Sequence, residues 1–241
     1  MTKVPQTRPG GTCYVAPMGN GRASGSSHDT IDAFVARLAS IPPGPNSVNM
    51  FDRSHAANDV RRSNLTRYLE QLAERRPSTL LVGEAPGYRG MRITGVPFTN
   101  ATILERGIPH FDLLGAANGY ALPDQLPPVA AEPTATVMWT TLIELDFLPV
   151  LWSAFPLHPH RPGDPLSNRT PTGREAAAWS WSWQALERIF PIRAVVAVGN
   201  VAARALAKSG RTVPRVRHPA HGGRAEFASG LRALLDDGVI A

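Results

Sequence analysis

Four short apolar runs, rich in aliphatic and β-branched residues, recur along the chain and end near glycine, proline or histidine. They occupy residues 79–82, 147–154, 194–198 and 213–217. Runs of this length and composition predict buried β-strands. The run at 147–154 is apolar nearly throughout, which is typical of a strand covered on both faces of a parallel sheet.

Segments with apolar residues at helical spacing alternate with these runs. They are residues 29–38, 58–76, 133–145, 172–189, 201–208 and 224–236, with a helical turn at 100–107. In the fourth segment, Thr172 and Glu175 have the spacing of a capping box. Its three tryptophans, Trp179, Trp181 and Trp183, are interpreted as packing residues.

Alternation of four strands with helices predicts an α/β fold, a three-layer α/β/α arrangement around a four-stranded parallel sheet. Residues 28–241 are long enough for a single domain with a sizeable core. Residues 1–27 are rich in Gly, Ser, Pro and Thr without periodicity, and we expect them to form a flexible N-terminal arm.

The charge balance favours an anionic partner. The chain has 25 Lys and Arg against 19 Asp and Glu, a formal charge of +6, and nearly all the basic residues are arginine. Arginine contacts phosphate with two hydrogen bonds, although arginine-rich composition is also typical of GC-rich genomes. The single cysteine, Cys13, excludes an internal disulfide or a cysteine-ligated cluster. We find no signal peptide or 18-residue apolar run, so a cytoplasmic protein acting at the nucleoid is expected.

Three strand ends carry the residues best suited to chemistry, at 83–88, 153–160 and 218–223. The carboxyl ends of parallel strands meet at one edge of a sheet, so these segments can form one pocket. Taken alone, the glycine-rich turn after the first strand is equally compatible with a simple strand-to-helix connection. The pairs His158/His160 and His218/His221 could ligate a metal, but no carboxylate cluster accompanies them, and hydrogen bonding to a ligand is the preferred interpretation.

Common nucleotide and hydrolase motifs are absent from the sequence. The glycines are not followed by Lys-Ser/Thr, and neither G-x-G-x-x-G nor G-x-S-x-G occurs. The motifs that are present, GEAPG at 83–87, GVPF at 95–98 and HPA at 218–220, resemble those of the uracil-DNA glycosylase superfamily. The resemblance extends from the first strand to the last helix and implies the same four-stranded sheet.

The resemblance implies a pocket for a uracil flipped out of DNA. Phe98 would stack on the base, and backbone groups of Glu84, Ala85 and Tyr88 would meet its edge. The expected uracil-binding residues are Gly83, Glu84, Ala85, Pro86, Gly87, Tyr88, Phe98, Ser153 and His218. Ser153, or alternatively His158, stands where an asparagine usually reads the base.

Two residues are expected to be catalytic. His218 matches the position that donates a hydrogen bond to the uracil oxygen, and Glu84 is the nearest carboxylate for the attacking water. Alternatively, Glu84 is a buried acid bonded to loop amides. Ala85 stands where many members have their water-activating aspartate, and the cysteines of the iron–sulfur members are missing.

DNA contacts are expected around the same edge. His221, in the loop after the motif histidine, is the candidate side chain that enters the duplex. The expected DNA-binding residues are Arg89, Arg92, Asn168, Arg169, Arg215, Arg217, His221, Gly222, Gly223 and Arg224.

The sequence therefore predicts a monomeric enzyme that removes uracil from DNA and releases free uracil, with no metal, no cofactor and no membrane partner. Two alternatives stay open. One is a glycosylase for another base, such as hypoxanthine, xanthine or mismatched thymine. The other is a catalytically silent protein that binds uracil-containing or single-stranded DNA.

Overall fold

The computed structural model describes residues 27–124 and 132–241, with side chains from residue 30. The predicted N-terminal arm lies outside the described residues, apart from Ser27, which begins the first helix. Within the described part of the chain, no helix is both long and apolar enough to cross a membrane.

Nine α-helices are found in the described residues. They are α1 (Ser27–Ser40), α2 (Ala57–Arg75), α3 (Met91–Thr94), α4 (Ala101–Arg106), α5 (Pro133–Glu144), α6 (Gly173–Ala178), α7 (Ser180–Ile189), α8 (Asn200–Lys208) and α9 (Arg224–Asp236). The strands are β1 (Ser47–Val48), β2 (Thr79–Gly83), β3 (Val150–Ser153), β4 (His158–Pro159), β5 (Ala194–Val198) and β6 (Arg215–Val216).

The main sheet has four parallel strands in the order β3-β2-β5-β6, flanked by helices, which confirms the predicted fold class. Strand β2 lies inside the sheet and is buried along its whole length. Its Gly83 pairs with Ser153 of β3. The ladder continues past the strand ends, because the Phe155 amide donates to the Glu84 carbonyl at 3.1 Å. The backbone of Glu84 is therefore held at the carboxyl edge of the sheet.

Three predicted elements differ from the structure. The run at 213–217 forms a strand only over Arg215–Val216. The run at 147–154 forms a strand only over Val150–Ser153, since Pro149 has no N–H to contribute to the ladder. The predicted helix over 172–189 is two helices that meet at Trp179. The Ser180 hydroxyl bonds the Ala177 carbonyl at this break. Trp179, at the break, and Trp183, in the second helix, are both buried.

A short antiparallel pair was not predicted. Ser47 pairs with Pro159, and Val48 with His158, so that β1 lies against β4. Two-residue strands have too little pattern to be recognised in sequence. This pair fixes the start of a long loop that follows β3 and returns to the sheet edge.

Candidate active site

A cavity of about 380 Å³ lies at the carboxyl edge of the main sheet. The three strand-end segments singled out in the sequence all contribute to its wall. Of the expected site residues, those in the wall are Glu84, Ala85, Pro86, Gly87, Phe98, Ser153, Asn168, Arg169, His218 and His221. The topology thus brings residues more than 130 positions apart in sequence to one concave site.

Phe98 is held in a defined position. Its backbone has φ = 49°, in the left-handed region, and its carbonyl accepts a hydrogen bond from Trp139 Nε1 at 3.0 Å. The Phe98 ring lies directly over Gly83, where a Cβ atom would overlap the Cζ of the ring. Gly83 therefore contributes the space beneath the ring and does not itself line the cavity.

His218 presents a hydrogen-bond donor to the cavity. Its Nδ1 accepts from the Ala220 amide at 3.2 Å, which places the proton of a neutral ring on Nε2. Burial lowers the pKa of His218, and the positive charges of Arg217 and His221 lower it further. At neutral pH the ring is uncharged, with Nε2–H available for a ligand.

Glu84 is half-buried in the cavity wall. Within residues 30–124 and 132–241, no hydrogen bond or ion pair reaches its carboxylate. The alternative of a structural acid bonded to loop amides therefore has no contact to support it in this part of the chain. Ser153, on the neighbouring strand, is buried in the same wall.

Tyr88 lies next to the cavity but outside its wall. Its amide donates to Asn168 Oδ1 at 3.0 Å, and its ring has the Arg89 guanidinium 5.0 Å from the ring centroid. This amide is therefore already occupied. The bond ties the loop after β2 to the loop that precedes α6.

His158 takes no part in the cavity wall. Its ring is completely buried, with Nδ1 2.9 Å from the Pro86 carbonyl and Nε2 3.2 Å from the Pro165 carbonyl. Burial lowers the pKa of His158 to about 4, so the ring is neutral and its single N–H serves the shorter contact. His158 connects two loops. It does not occupy a base-reading position.

Of the two histidine pairs considered as metal ligands, His158 and His160 stack with ring centroids 6.0 Å apart, but both ring nitrogens of His158 face backbone carbonyls. His160 Nδ1 lies 2.8 Å from the Arg161 carbonyl. Among the described residues, no group of three or more His, Cys, Asp or Glu side chains is placed to hold a metal ion.

Most of the arginines expected to bind DNA already have partners in the protein. Arg224 pairs with Glu144 at 3.0 Å and Arg217 with Glu226 at 3.4 Å, and Arg215 bonds the Asn200 side chain. The two ion pairs are exposed to solvent and contribute only about 0–1 kcal/mol each. A phosphate group could replace such partners at small cost. Gly222 and Gly223 lie in the same turn, which leads into α9.

One of these arginines is bound more firmly. Arg169 makes a two-pronged contact with Glu175, at 2.6 and 2.8 Å. The hydrogen bond from Arg169 lowers the pKa of Glu175 to about 2. Arg92 differs from it, because burial lowers its pKa and its buried Nε has no hydrogen-bond partner in the described residues.

Sequence reasoning missed one titratable residue of the cavity, Glu132. It directly precedes α5 and lines the wall together with Thr134 and Met91. Burial raises the pKa of Glu132 to about 7, and the hydrogen bond with Thr134 acts in the opposite direction. The sequence did contain one signal for this residue. Glu132 is an acid immediately before a helix that begins with a proline, Pro133.

The comparisons with known proteins identify the fold. No described protein family matches the sequence, and no curated protein matches it. The solved structure of wild-type SMUG2 from Pedobacter heparinus is similar, with a TM-score of 0.58 and 14% sequence identity. The alignment covers 87% of this chain and 98% of that one. The chain therefore has a uracil-DNA glycosylase-like fold.

Proposed function

We propose that this protein is a DNA glycosylase that hydrolyses the bond between uracil and deoxyribose. The observation that carries the proposal is the grouping of three functions in one cavity. Phe98 is a fixed aromatic surface, His218 is a neutral donor, and the Glu84 carboxylate has no partner in the described residues. The uracil-DNA glycosylase-like fold and the motifs at 83–87, 95–98 and 218–220 support the same reaction.

The substrate base enters the cavity after leaving the DNA helix. Flipping costs a few kcal/mol, and stacking on an aromatic side chain recovers about 1–3 kcal/mol per base. Phe98 supplies that surface at little further cost, because its backbone and ring are already held by Trp139 and Gly83. Free uracil is the product that leaves the cavity.

The reaction breaks the bond between C1′ of the sugar and N1 of uracil. The bonding electron pair stays on the base, so negative charge develops on its ring and oxygens while the sugar becomes oxocarbenium-like. His218 Nε2–H donates to a base oxygen, and this hydrogen bond strengthens as the charge grows. Because the Ala220 amide fixes the tautomer, the donor needs no rearrangement during the reaction.

Water completes the reaction by adding to C1′. Glu84 accepts its proton and, before that, stabilises the positive charge on the sugar. The proton then neutralises the released uracil anion. Each step uses groups that this chain places in the cavity wall.

DNA is held around the cavity mouth by the exposed basic residues. His221 lines the mouth and is solvent-exposed, with φ = 53°, and we assign it the role of entering the duplex. Arg215, Arg217 and Arg224 exchange their present partners for phosphate. Affinity for DNA then falls steeply with salt, as for other phosphate-binding proteins.

A panel of oligonucleotides tests this proposal. Each carries one modified base (uracil, hypoxanthine, xanthine or mismatched thymine) and is incubated with the protein and then with alkali. Strand cleavage at uracil is the expected result, and cleavage at another base would change the assigned lesion. The His218→Ala protein, purified in the same way, controls for contaminating glycosylases.

A mobility shift without strand cleavage at any base contradicts the proposed reaction. It would identify the protein as a binder of damaged or single-stranded DNA. The same gels therefore distinguish a glycosylase from a catalytically silent DNA-binding protein.

A further inference from the structure

The cavity contains a carboxyl group that the proposed reaction does not use. Glu132 shares the wall with Glu84, Phe98, Ser153 and His218. It belongs to the segment that enters α5, and so reaches the cavity from outside the three strand ends.

The position of Glu132 depends on a close approach to the loop after β2. Its carboxyl group lies against Gly90, where a Cβ atom would overlap Oε2. Its own carbonyl is bound by Asn100 Nδ2 at 3.4 Å. The side chain is therefore packed between α5 and the residues that carry Phe98.

No cation is paired with Glu132 in the described part of the chain. Its side chain is hydrogen-bonded by Thr134, and the preceding residues 125–131 contain no basic residue in their sequence. Buried carboxyl groups are normally ion-paired or become neutral. The burial that raises the pKa of Glu132 to about 7 therefore makes the neutral form abundant at physiological pH.

A neutral carboxyl group has hydrogen-bonding capacity that a carboxylate lacks. It offers one O–H donor as well as acceptor oxygens, whereas the ionised form only accepts. The interaction with the Thr134 side chain acts against the rise in the pKa of this group but does not outweigh the effect of burial. In its neutral form the group presents one O–H donor.

We infer that the neutral carboxyl group of Glu132 contacts the flipped base, donating its O–H to a base carbonyl oxygen. The inference rests on the proposed function and deepens it. It assigns to this site bases that have a carbonyl oxygen on the edge facing Glu132, a class that includes uracil and hypoxanthine. Ionised Glu132 opposes such an oxygen with a second negative charge, so activity falls as this carboxyl loses its proton.

Other charged groups around the cavity must be distinguished from Glu132. Those in or beside its wall are Glu84, Arg89, Arg92, Arg169, His218 and His221. Arg169 is paired with Glu175. The pKa of His218 is lowered, so that this ring titrates on the acidic side of its usual range. An alkaline decline near pH 7 is therefore the feature assigned to Glu132.

The experiment measures single-turnover cleavage of a uracil oligonucleotide between pH 5.5 and 9. From a midpoint near pH 7, the wild-type rate is expected to fall about tenfold between pH 6 and pH 8. Glu132→Gln keeps a donor and an acceptor but cannot ionise, so its rate should stay level over this range and exceed the wild-type rate at pH 8. Glu132→Ala should be slow at every pH. Glu187→Gln, an acid-to-amide change at an ion pair on α7, should retain the wild-type profile.

Three results overturn the inference. They are a wild-type rate that is flat between pH 6 and 8, a Glu132→Gln profile identical to wild type, and a folded Glu132→Gln protein inactive at all pH values. The first needs no variant and decides the matter even if the substituted protein does not fold. Absence of wild-type cleavage at every pH would instead reject the proposed glycosylase reaction.

Discussion

Two sets of polar side chains in and around the cavity differ in the partners they have. On the cavity side, Glu84 and His218 keep a carboxylate and an Nε2–H without partners among the described residues. In the bracing segment, residues 158–175, His158 lies between two carbonyls, and Arg169 binds Glu175 with both of its terminal nitrogens. Buried polar groups are nearly always paired in folded proteins, because an unmade hydrogen bond costs about 1–3 kcal/mol. His158 is buried and follows this rule, whereas Glu84 and His218 are half-buried and open to the cavity, where water or a ligand can reach them.

The largest effect is expected on the cavity side, from Glu84→Gln. The amide cannot accept a proton from water or balance positive charge on the sugar, so turnover should fall about 10²–10⁴-fold. Binding of uracil DNA, measured by fluorescence anisotropy, should change little. Unchanged single-turnover rates would remove Glu84 from the mechanism.

His218→Ala removes the side chain that we propose as the donor to the leaving base. We expect cleavage to slow by about 10²–10³-fold, the range measured for loss of one preorganised donor. Thermal unfolding should stay close to wild type, since the His218 ring makes one hydrogen bond in the described part of the chain, to a neighbouring amide. A near-normal rate would mean that His218 has a structural role, like the residues of the bracing segment, and does not take part in the reaction.

In the bracing segment, His158→Ala should have the opposite profile. It leaves a cavity in the interior and removes a hydrogen bond to Pro86, so the free energy of unfolding should fall by about 2–4 kcal/mol. Urea denaturation measures this change. The cleavage rate per folded molecule should remain within a few-fold of wild type, and a collapse in that rate with intact stability would contradict the division between the two sides.

The pH dependence of stability sharpens the same contrast. The folded pKa of His158, about 4, lies below its unfolded value of 6.5, so its stabilising contribution is complete above pH 6.5 and is lost as pH falls toward 4. The difference in unfolding free energy between wild type and His158→Ala should therefore shrink by about 3 kcal/mol from pH 7 to pH 4. Glu132 titrates in both proteins and contributes in the opposite direction, so its effect cancels in the difference. A constant difference would show that His158 is not held neutral.

The smallest effect is expected from Phe98→Ala. Loss of the stacking surface should weaken capture of the flipped base by about 1–3 kcal/mol. It should appear as a higher half-saturation concentration for single-stranded uracil substrate in single-turnover reactions. Wild-type saturation would contradict the stacking role.

The sheet and the meeting of the strand ends were predictable because they follow from alternation and from parallel topology. The capping box at Thr172 and Glu175 was also predictable, since its hydrogen bonds lie within one turn. Local pattern is enough for such features.

Features that depend on distant partners were not predictable. His158 binds the carbonyl of Pro86, 72 positions away, and this contact alone distinguishes a bracing histidine from a cavity histidine. Glu132 likewise becomes a cavity residue only because Gly90 admits its carboxyl group. The arginine partners Glu144 and Glu226 lie on different helices. Neither the composition of the chain nor the spacing of its motifs predicts these pairings.

The contact between Gly83 and the Phe98 ring implies that these two positions cannot vary independently. A methyl group at residue 83 would displace the ring in the present protein, because the three atoms nearest to it all belong to Phe98, and Phe98→Ala removes all three. In a double-mutant cycle, Gly83→Ala and Phe98→Ala should therefore be strongly non-additive, as expected for residues in direct contact. The side chain that residue 83 can carry therefore depends on the side chain at residue 98, through a single van der Waals contact.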